Sequence, residues 1–413
     1  MKQIVLCFVI YCLHLSIHAQ NKKAITWDKL IDHSAAKELK ESGIPSLQLA
    51  IGYKDSILFE RAYGFADLEN KVPATSMTEY RTASISKWWT ATLTMILVSQ
   101  GKLNLDIPIQ TYCSHFPIKK WPITARQLLT HTAGIRSYLT LEEELSKAKN
   151  AEDSSLAKGR YNLELLGQYT RYTNLKESLG NFKQDPLLFE PGTSWSYSSQ
   201  GYRVLGCVLE DVTGTPYASL MKQMIFNPGG MSNTLVDDSW AIIPNRASGY
   251  QIEEGKAIRR AEMRDVSENL PAGGFLSTAT DLVKFAQKFI HQGFVPSNDI
   301  RLMSTSFFKQ TSPGLQQPSW RDAIPSMEKY GYGLMLYPDT NTIRIGHDGR
   351  QAGFSSIVIT IPEKDITIAV LTNAKGWNGY ISFTKSIEDI IILYYLNNKN
   401  SFYRNGTKKA GPI

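Results

Sequence analysis

Ser84 and Lys87 are the residues best placed to do chemistry. They stand three apart in an otherwise apolar segment, and on a helix that spacing puts both on one face. An amine turned toward an apolar core loses the solvation that favours its charge. It then becomes a base able to activate a neighbouring hydroxyl. A serine at the first turn of such a helix also meets free backbone N–H groups, which stabilise developing negative charge. The chemistry implied is attack by an activated serine on a carbonyl carbon. Ser-x-x-Lys alone fits an ordinary solvated helix start equally well, so the surroundings must decide. Gly-x-Ser-x-Gly, the mark of a nucleophile elbow, is absent. His131 has no partner at metal-ligand spacing and reads as a hydrogen-bonding support.

The elements that must position this pair can be read from periodicity. The run 84–100 is apolar on nearly every side, so it predicts a buried helix stopped by Gly101. Residues 46–51 and 57–65 predict a hairpin, and a second helix begins at Thr280. Residues 331–337, 354–361 and 366–372 are β-branched or aromatic runs, followed by an amphipathic helix over 382–396. The stretch 102–281 carries mostly helical and loop signals, and 138–185 within it is polar enough to be an inserted surface lobe. Strands at both ends with helices between them imply an α+β fold with one sheet built from the two termini.

The chain has 413 residues, 42% hydrophobic and 20% charged, which excludes a disordered or fibrous protein and allows a large core. Lys and Arg exceed Asp and Glu by 45 to 38, giving +7, but the excess is spread along the chain rather than clustered. That argues against a nucleic-acid footprint. Residues 1–19 read as a secretory signal ending in Ala19, and the remaining chain shows no apolar run long enough to span a membrane. Beyond the leader only Cys113 and Cys207 remain; they form no disulfide framework or metal motif and are expected to be buried apolar fillers.

The block Thr82-Ala83-Ser84-Ile85-Ser86-Lys87 resembles the nucleophile motif of the serine β-lactamase and penicillin-binding protein superfamily. Four further blocks agree in order. Leu128-Leu129-Thr130-His131-Thr132-Ala133-Gly134 and Pro191-Gly192-Thr193-Ser194-Trp195-Ser196-Tyr197-Ser198-Ser199 come first. Ala272-Gly273-Gly274-Phe275-Leu276-Ser277-Thr278 and Gly346-His347-Asp348-Gly349 follow. The blocks run from Thr82 to Gly349, and the resemblance, to the class C β-lactamase-like branch, covers about residues 30–395. The stretch 185–192 and the charged insertion further resemble the mitochondrial serine β-lactamase-like proteins of animals.

The resemblance implies an antiparallel sheet flanked by helices, with a mostly helical inserted lobe. It implies Ser84 as nucleophile, Lys87 as proton acceptor or tuning partner, and Tyr197 as proton relay. Ser199 stands where the family keeps Asn, and His347 where β-lactamases of this branch usually keep Lys. Both are implied to contact substrate, and both departures incline the reading toward peptidase or esterase rather than β-lactamase. Gly349 lets the strand edge approach, and the N–H groups of Ser84 and Arg350 are implied to form the oxyanion hole. No metal or cofactor is required.

The domain organisation expected is a signal peptide over 1–19, a hydrolase domain over 20–397 and a polar tail over 398–413. Within the domain, an α/β lobe is expected at about 24–83 and 281–397 and a helical lobe at about 84–280. The protein is expected to be exported to the periplasm or medium and to act on a small-molecule or peptide substrate. A catalytically weak scaffold or ligand-binding protein that keeps the fold is the alternative. No oligomeric state is implied.

Overall fold

β-Branched runs from the two ends of the chain meet in a single sheet, as the sequence implies. The computed structural model describes residues 26–253, 257–307, 330–338 and 342–396; the leader and the polar tail lie outside them. Residues 38–384 form one unit, and a smaller one joins residues 26–37 to 385–396. In the smaller unit, the start of helix α1 (Trp27–Ser42) sets Trp27 edge-on to Tyr395, with ring centroids 5.3 Å apart.

Among the described residues the main sheet has seven strands. From one edge, the order is Val72–Pro73, β2 (Ser56–Asp67), β1 (Ser46–Tyr53), β7 (Ile366–Thr372), β6 (Phe354–Ile361), β5 (Ile343–Gln351) and β4 (Met335–Pro338). The pairs β1–β2, β1–β7, β6–β7, β5–β6 and β4–β5 are all antiparallel, and Leu49 lies opposite Val370 where the two halves of the sequence join. Every residue of β6 and β7 is buried. A strand without polar alternation needs cover on both faces.

Helix α5 (Ala279–Ile290) covers one of them across β1 and β7. It starts at Thr278, whose hydroxyl accepts from the Asp281 N–H, and it buries Leu282, Val283, Phe285, Ala286 and Phe289. Gly52 makes the approach possible: a Cβ there would lie 2.5 Å from Val283 Cγ1.

Helix α2 (Ser86–Ser99) runs through the core, with Ser86 through Leu97 buried. Trp88 meets Phe285 and Phe289 edge-on at 5.1 and 5.2 Å, and Trp89 meets Phe226 at 5.3 Å. Its buried threonines are satisfied within the helix, Thr92 and Thr94 donating to the carbonyls four residues back. Gly101 takes φ +70° immediately after the C-cap, the stop its position predicts.

The polar stretch 138–185 folds into short helices around α3 (Ala151–Gly167). It is tied down by charge: Arg136 reaches Glu164 at 2.6 Å and Asp185 at 2.5 Å. Helix α4 (Ser199–Thr213) follows it, and a three-residue strand β3 (Phe275–Ser277) lies just before α5.

Cys113 and Cys207 are fully buried as anticipated, but they are not thiols: they form a disulfide that joins α4 to a loop 94 residues earlier. Two cysteines so distant in sequence carry no spacing signal for pairing. Among the described residues no helix is long and apolar enough to cross a membrane.

Candidate active site

Ser84 lies in a 3-10 turn, Ala83–Ile85, that leads directly into α2. Ala83 adopts φ +47°, a left-handed conformation that an alanine enters only when its surroundings enforce it. Those surroundings are three strands. Thr82 donates through both its N–H and its hydroxyl to the Phe275 carbonyl of β3, at 3.0 Å each. The Ser356 hydroxyl on β6 donates to the Thr82 carbonyl at 2.8 Å. Gly349 on β5 lies directly against Thr82 and Ala83. The turn therefore hands a half-buried Ser84 to solvent while its neighbours are sealed.

Lys87 is fully buried one turn further on. Its ammonium donates to Ser84 Oγ at 3.0 Å, Ser199 Oγ at 3.1 Å and the Ala272 carbonyl at 3.0 Å. These partners are neutral oxygens from three elements, so the amine is fixed in position as well as direction. The i, i+3 spacing has produced the contact it predicts.

Tyr197 arrives on the loop before α4, with its ring centroid 4.9 Å from Lys87 Nζ. His131 holds that loop. It takes φ +60°, its Nδ1 accepts from the Ser198 N–H at 3.1 Å, and its ring packs 4.3 Å from that of Tyr197. This is the supporting role expected of it. Ser198 caps α4, accepting from the Gly201 N–H at 3.0 Å and donating to the Arg136 carbonyl at 2.7 Å. Ser199, first residue of α4, is 6% exposed and turns its hydroxyl to Lys87.

His347 is placed otherwise than the substrate-contacting role implies. It is wholly buried, Nε2 lies 3.0 Å from Tyr330 Oη, and Nδ1 lies 2.5 Å from the Asp348 carbonyl. Burial, and then the Lys87 charge, bring its pKa down to about 3, so the ring is neutral. It is not among the described residues that line the cavity. His347 shares the face of β5 that carries Gly349, and the Tyr330 ring, edge-on at 5.8 Å, closes over it.

Asp348 does line the cavity, and burial pushes its carboxyl up. Tyr380 Oη donates to it at 2.7 Å and accepts from Arg350 Nη2 at 2.6 Å. Sequence reasoning assigned no role to Tyr330 or Tyr380; isolated tyrosines outside the motif blocks give no warning of it.

Ser84, Tyr197, Ser199, Gly349 and Arg350 line one cavity of about 500 Å³. Its outer wall comes from the insertion, through Tyr138, Leu139, Thr140, Tyr161, Leu165 and Gln168. Arg264, Arg350 and Lys375 bring positive charge to the same space. The protein around Lys375, and then the Arg264 charge, hold its ammonium below the usual range. Burial pushes the lining carboxyl of Glu268 up, as it does that of Asp348. Among the described residues, Cys113, Cys207 and Asp211 form the cluster at metal-ligand distance, and its two sulfurs are already joined covalently.

Ser84 on its strained turn, the buried Lys87 bonded to it and the Tyr197 ring beside that lysine stand together, with the Ser-x-x-Lys pair that serine β-lactamases and penicillin-binding proteins share. The chain belongs to the Beta-lactamase family, whose family model matches residues 27–384. It is 31% identical over 388 residues to the human serine beta-lactamase-like protein LACTB, mitochondrial, covering 78% of this chain and 70% of that protein. Among solved structures, it is similar to the octameric penicillin-binding protein homologue from Pyrococcus abyssi, with TM-score 0.68 and 24% identity over 88% of this chain and 77% of that one. It is also similar to the D-stereospecific amidohydrolase from Streptomyces sp., with TM-score 0.66 and 23% identity over 86% and 97%. These structures share the β-lactamase/transpeptidase-like α+β fold.

Proposed function

We propose that the protein is an exported serine hydrolase that cleaves an amide or ester through an acyl-serine intermediate. The observation that carries the reading is the 3.0 Å contact between Lys87 Nζ and Ser84 Oγ within a cavity that Tyr197 also lines. Ser84 Oγ attacks the substrate carbonyl carbon as its proton passes to the Lys87–Tyr197 pair. The tetrahedral oxyanion is met by the backbone N–H groups of Ser84 and Arg350, where each such donor contributes roughly 10²–10³ in rate. Collapse breaks the bond to the amine or alcohol, which leaves with the proton. Water then attacks the acyl-serine along the reverse proton path, releasing the acid and restoring Ser84.

Ser199 and His347 favour peptidase or esterase activity over β-lactam turnover. The Ser199 hydroxyl is engaged by Lys87, and His347 is neutral and enclosed. An amidohydrolase among the fold neighbours supports an amide as substrate. The Cys113–Cys207 bridge, together with the leader-like residues 1–19, supports an oxidising compartment outside the cytoplasm.

The test is labelling with a fluorophosphonate, followed by peptide mass mapping. We expect one adduct on Ser84, lost in Ser84→Ala, together with Ser84-dependent turnover of a p-nitrophenyl ester. An adduct elsewhere, or turnover unaffected by the substitution, overturns the assignment.

A further inference from the structure

We infer that Asn269 is the residue that reads an amide group of the acyl donor, which makes the substrate peptide-like rather than a plain ester. The inference rests on the serine hydrolase reading of the same cavity. Asn269 is 7% exposed and lines the cavity. Its Oδ1 has no hydrogen-bond partner among the described residues. A buried amide acceptor left unmade is rare and unfavourable, and a site that keeps one is completed by what it binds.

The position is set by backbone contacts. The Asn269 N–H donates to the Val266 carbonyl at 2.9 Å. Its Nδ2 would lie only 2.9 Å from a Cβ added to Gly273, and the same Cβ would lie 3.3 Å from the Ala83 carbonyl carbon. The carboxamide therefore stands at the glycine that backs the residue before Ser84. Gly273 also follows Ala272, whose carbonyl holds Lys87. A terminal carboxamide torsion is broad and two-fold, so either end of the group can be turned to the cavity.

The chemistry of the site calls for such a group. Ser199 occupies the place where the resemblance sets an asparagine, and its hydroxyl is already bonded to Lys87. A carboxamide carries both donors and an acceptor and so matches the C=O and N–H of a peptide group. Asn269 supplies from the Gly273 turn what α4 does not. It is a positioning residue: it holds the acyl group so that its carbonyl meets Ser84, and it moves no proton.

The test compares three p-nitrophenyl esters of similar length. That of N-acetylglycine carries an amide, that of 4-oxopentanoic acid keeps the carbonyl but lacks the N–H, and that of hexanoic acid lacks both. Fluorophosphonate titration counts competent sites in the wild type, Asn269→Leu and Asn269→Asp. We expect the ratio of kcat/KM for the N-acetylglycine ester over the hexanoate ester to fall about 10- to 100-fold in Asn269→Leu, the loss of one or two buried hydrogen bonds. Asn269→Asp, which keeps the shape, separates the donor from the acceptor through the 4-oxopentanoate ester. A ratio unchanged within about twofold in both variants, with hydrolysis still dependent on Ser84, overturns the inference and leaves the hydrolase reading standing. If no ester is turned over in a Ser84-dependent way, both fall.

Discussion

A Cβ on residue 349 would lie 2.9 Å from the Cβ of Ala83 and 2.4 Å from the Thr82 carbonyl oxygen. Gly349 and Ala83 thus meet at a distance that only one side chain can share. Strand β5 reaches the serine turn because it is bare at that point, and the turn keeps φ +47° because the strand presses on it.

Gly349→Ala is therefore expected to move the turn rather than only fill space. Overpacking of this kind destabilises by about 1–3 kcal/mol. The rate of fluorophosphonate labelling at Ser84 should fall by at least about tenfold, more than stability loss explains, since misplacing a nucleophile by about 1 Å is enough for 10². Thermal denaturation and labelling kinetics on the same samples check both.

His347 gives stability a pH dependence with a defined sign. Its folded pKa is about 3, below the ordinary value of 6.5. Between those values the unfolded chain binds a proton that the folded one refuses, so stability falls as pH drops through that window. The contribution is about 1.4 kcal/mol per pH unit. Urea denaturation of wild type and His347→Gln from pH 7 to 4 should show the difference narrowing toward acid. In the same range, no step in activity is expected from this ring.

The Cys113–Cys207 bridge closes a loop of 94 residues. Replacing both cysteines with Ala is expected to lower stability by roughly 2–4 kcal/mol. Intact mass with and without reductant, followed by denaturant titration, measures the pairing and its contribution together.

The positive side chains in the cavity bear on substrate charge. Lys375→Ala and Arg264→Ala are each expected to lower kcat/KM for an acyl donor bearing a carboxylate more than for its neutral analogue, by about 3- to 10-fold. Added salt should compress that difference, because an open cationic site is screened.

Much of this site can be read from residue types alone. Ser84 and Lys87 announce a contact through spacing, and the Lys87–Tyr197 approach follows from motif order. Strands β6 and β7 fall on the boundaries their β-branched runs mark. What stayed hidden depends on neighbours distant in sequence. Nothing about an alanine says that position 83 is left-handed, since the cause lies on β3, β5 and β6. The enclosure of His347 depends on Tyr330, an isolated tyrosine outside the motif blocks that packs over it. Asn269 belongs to no motif block and gains its place only when the chain brings the turn at Gly273 against Ala83.

The insertion lines the cavity with side chains but lends none to the Ser84–Lys87 contact, whose partners lie in the turn, α2, α4 and the 270–273 segment. One wall of the cavity is therefore carried by a stretch that makes none of the hydrogen bonds of Lys87. Substitutions within 138–185 can thus reshape one side of that space while the contacts that hold the amine stay as they are.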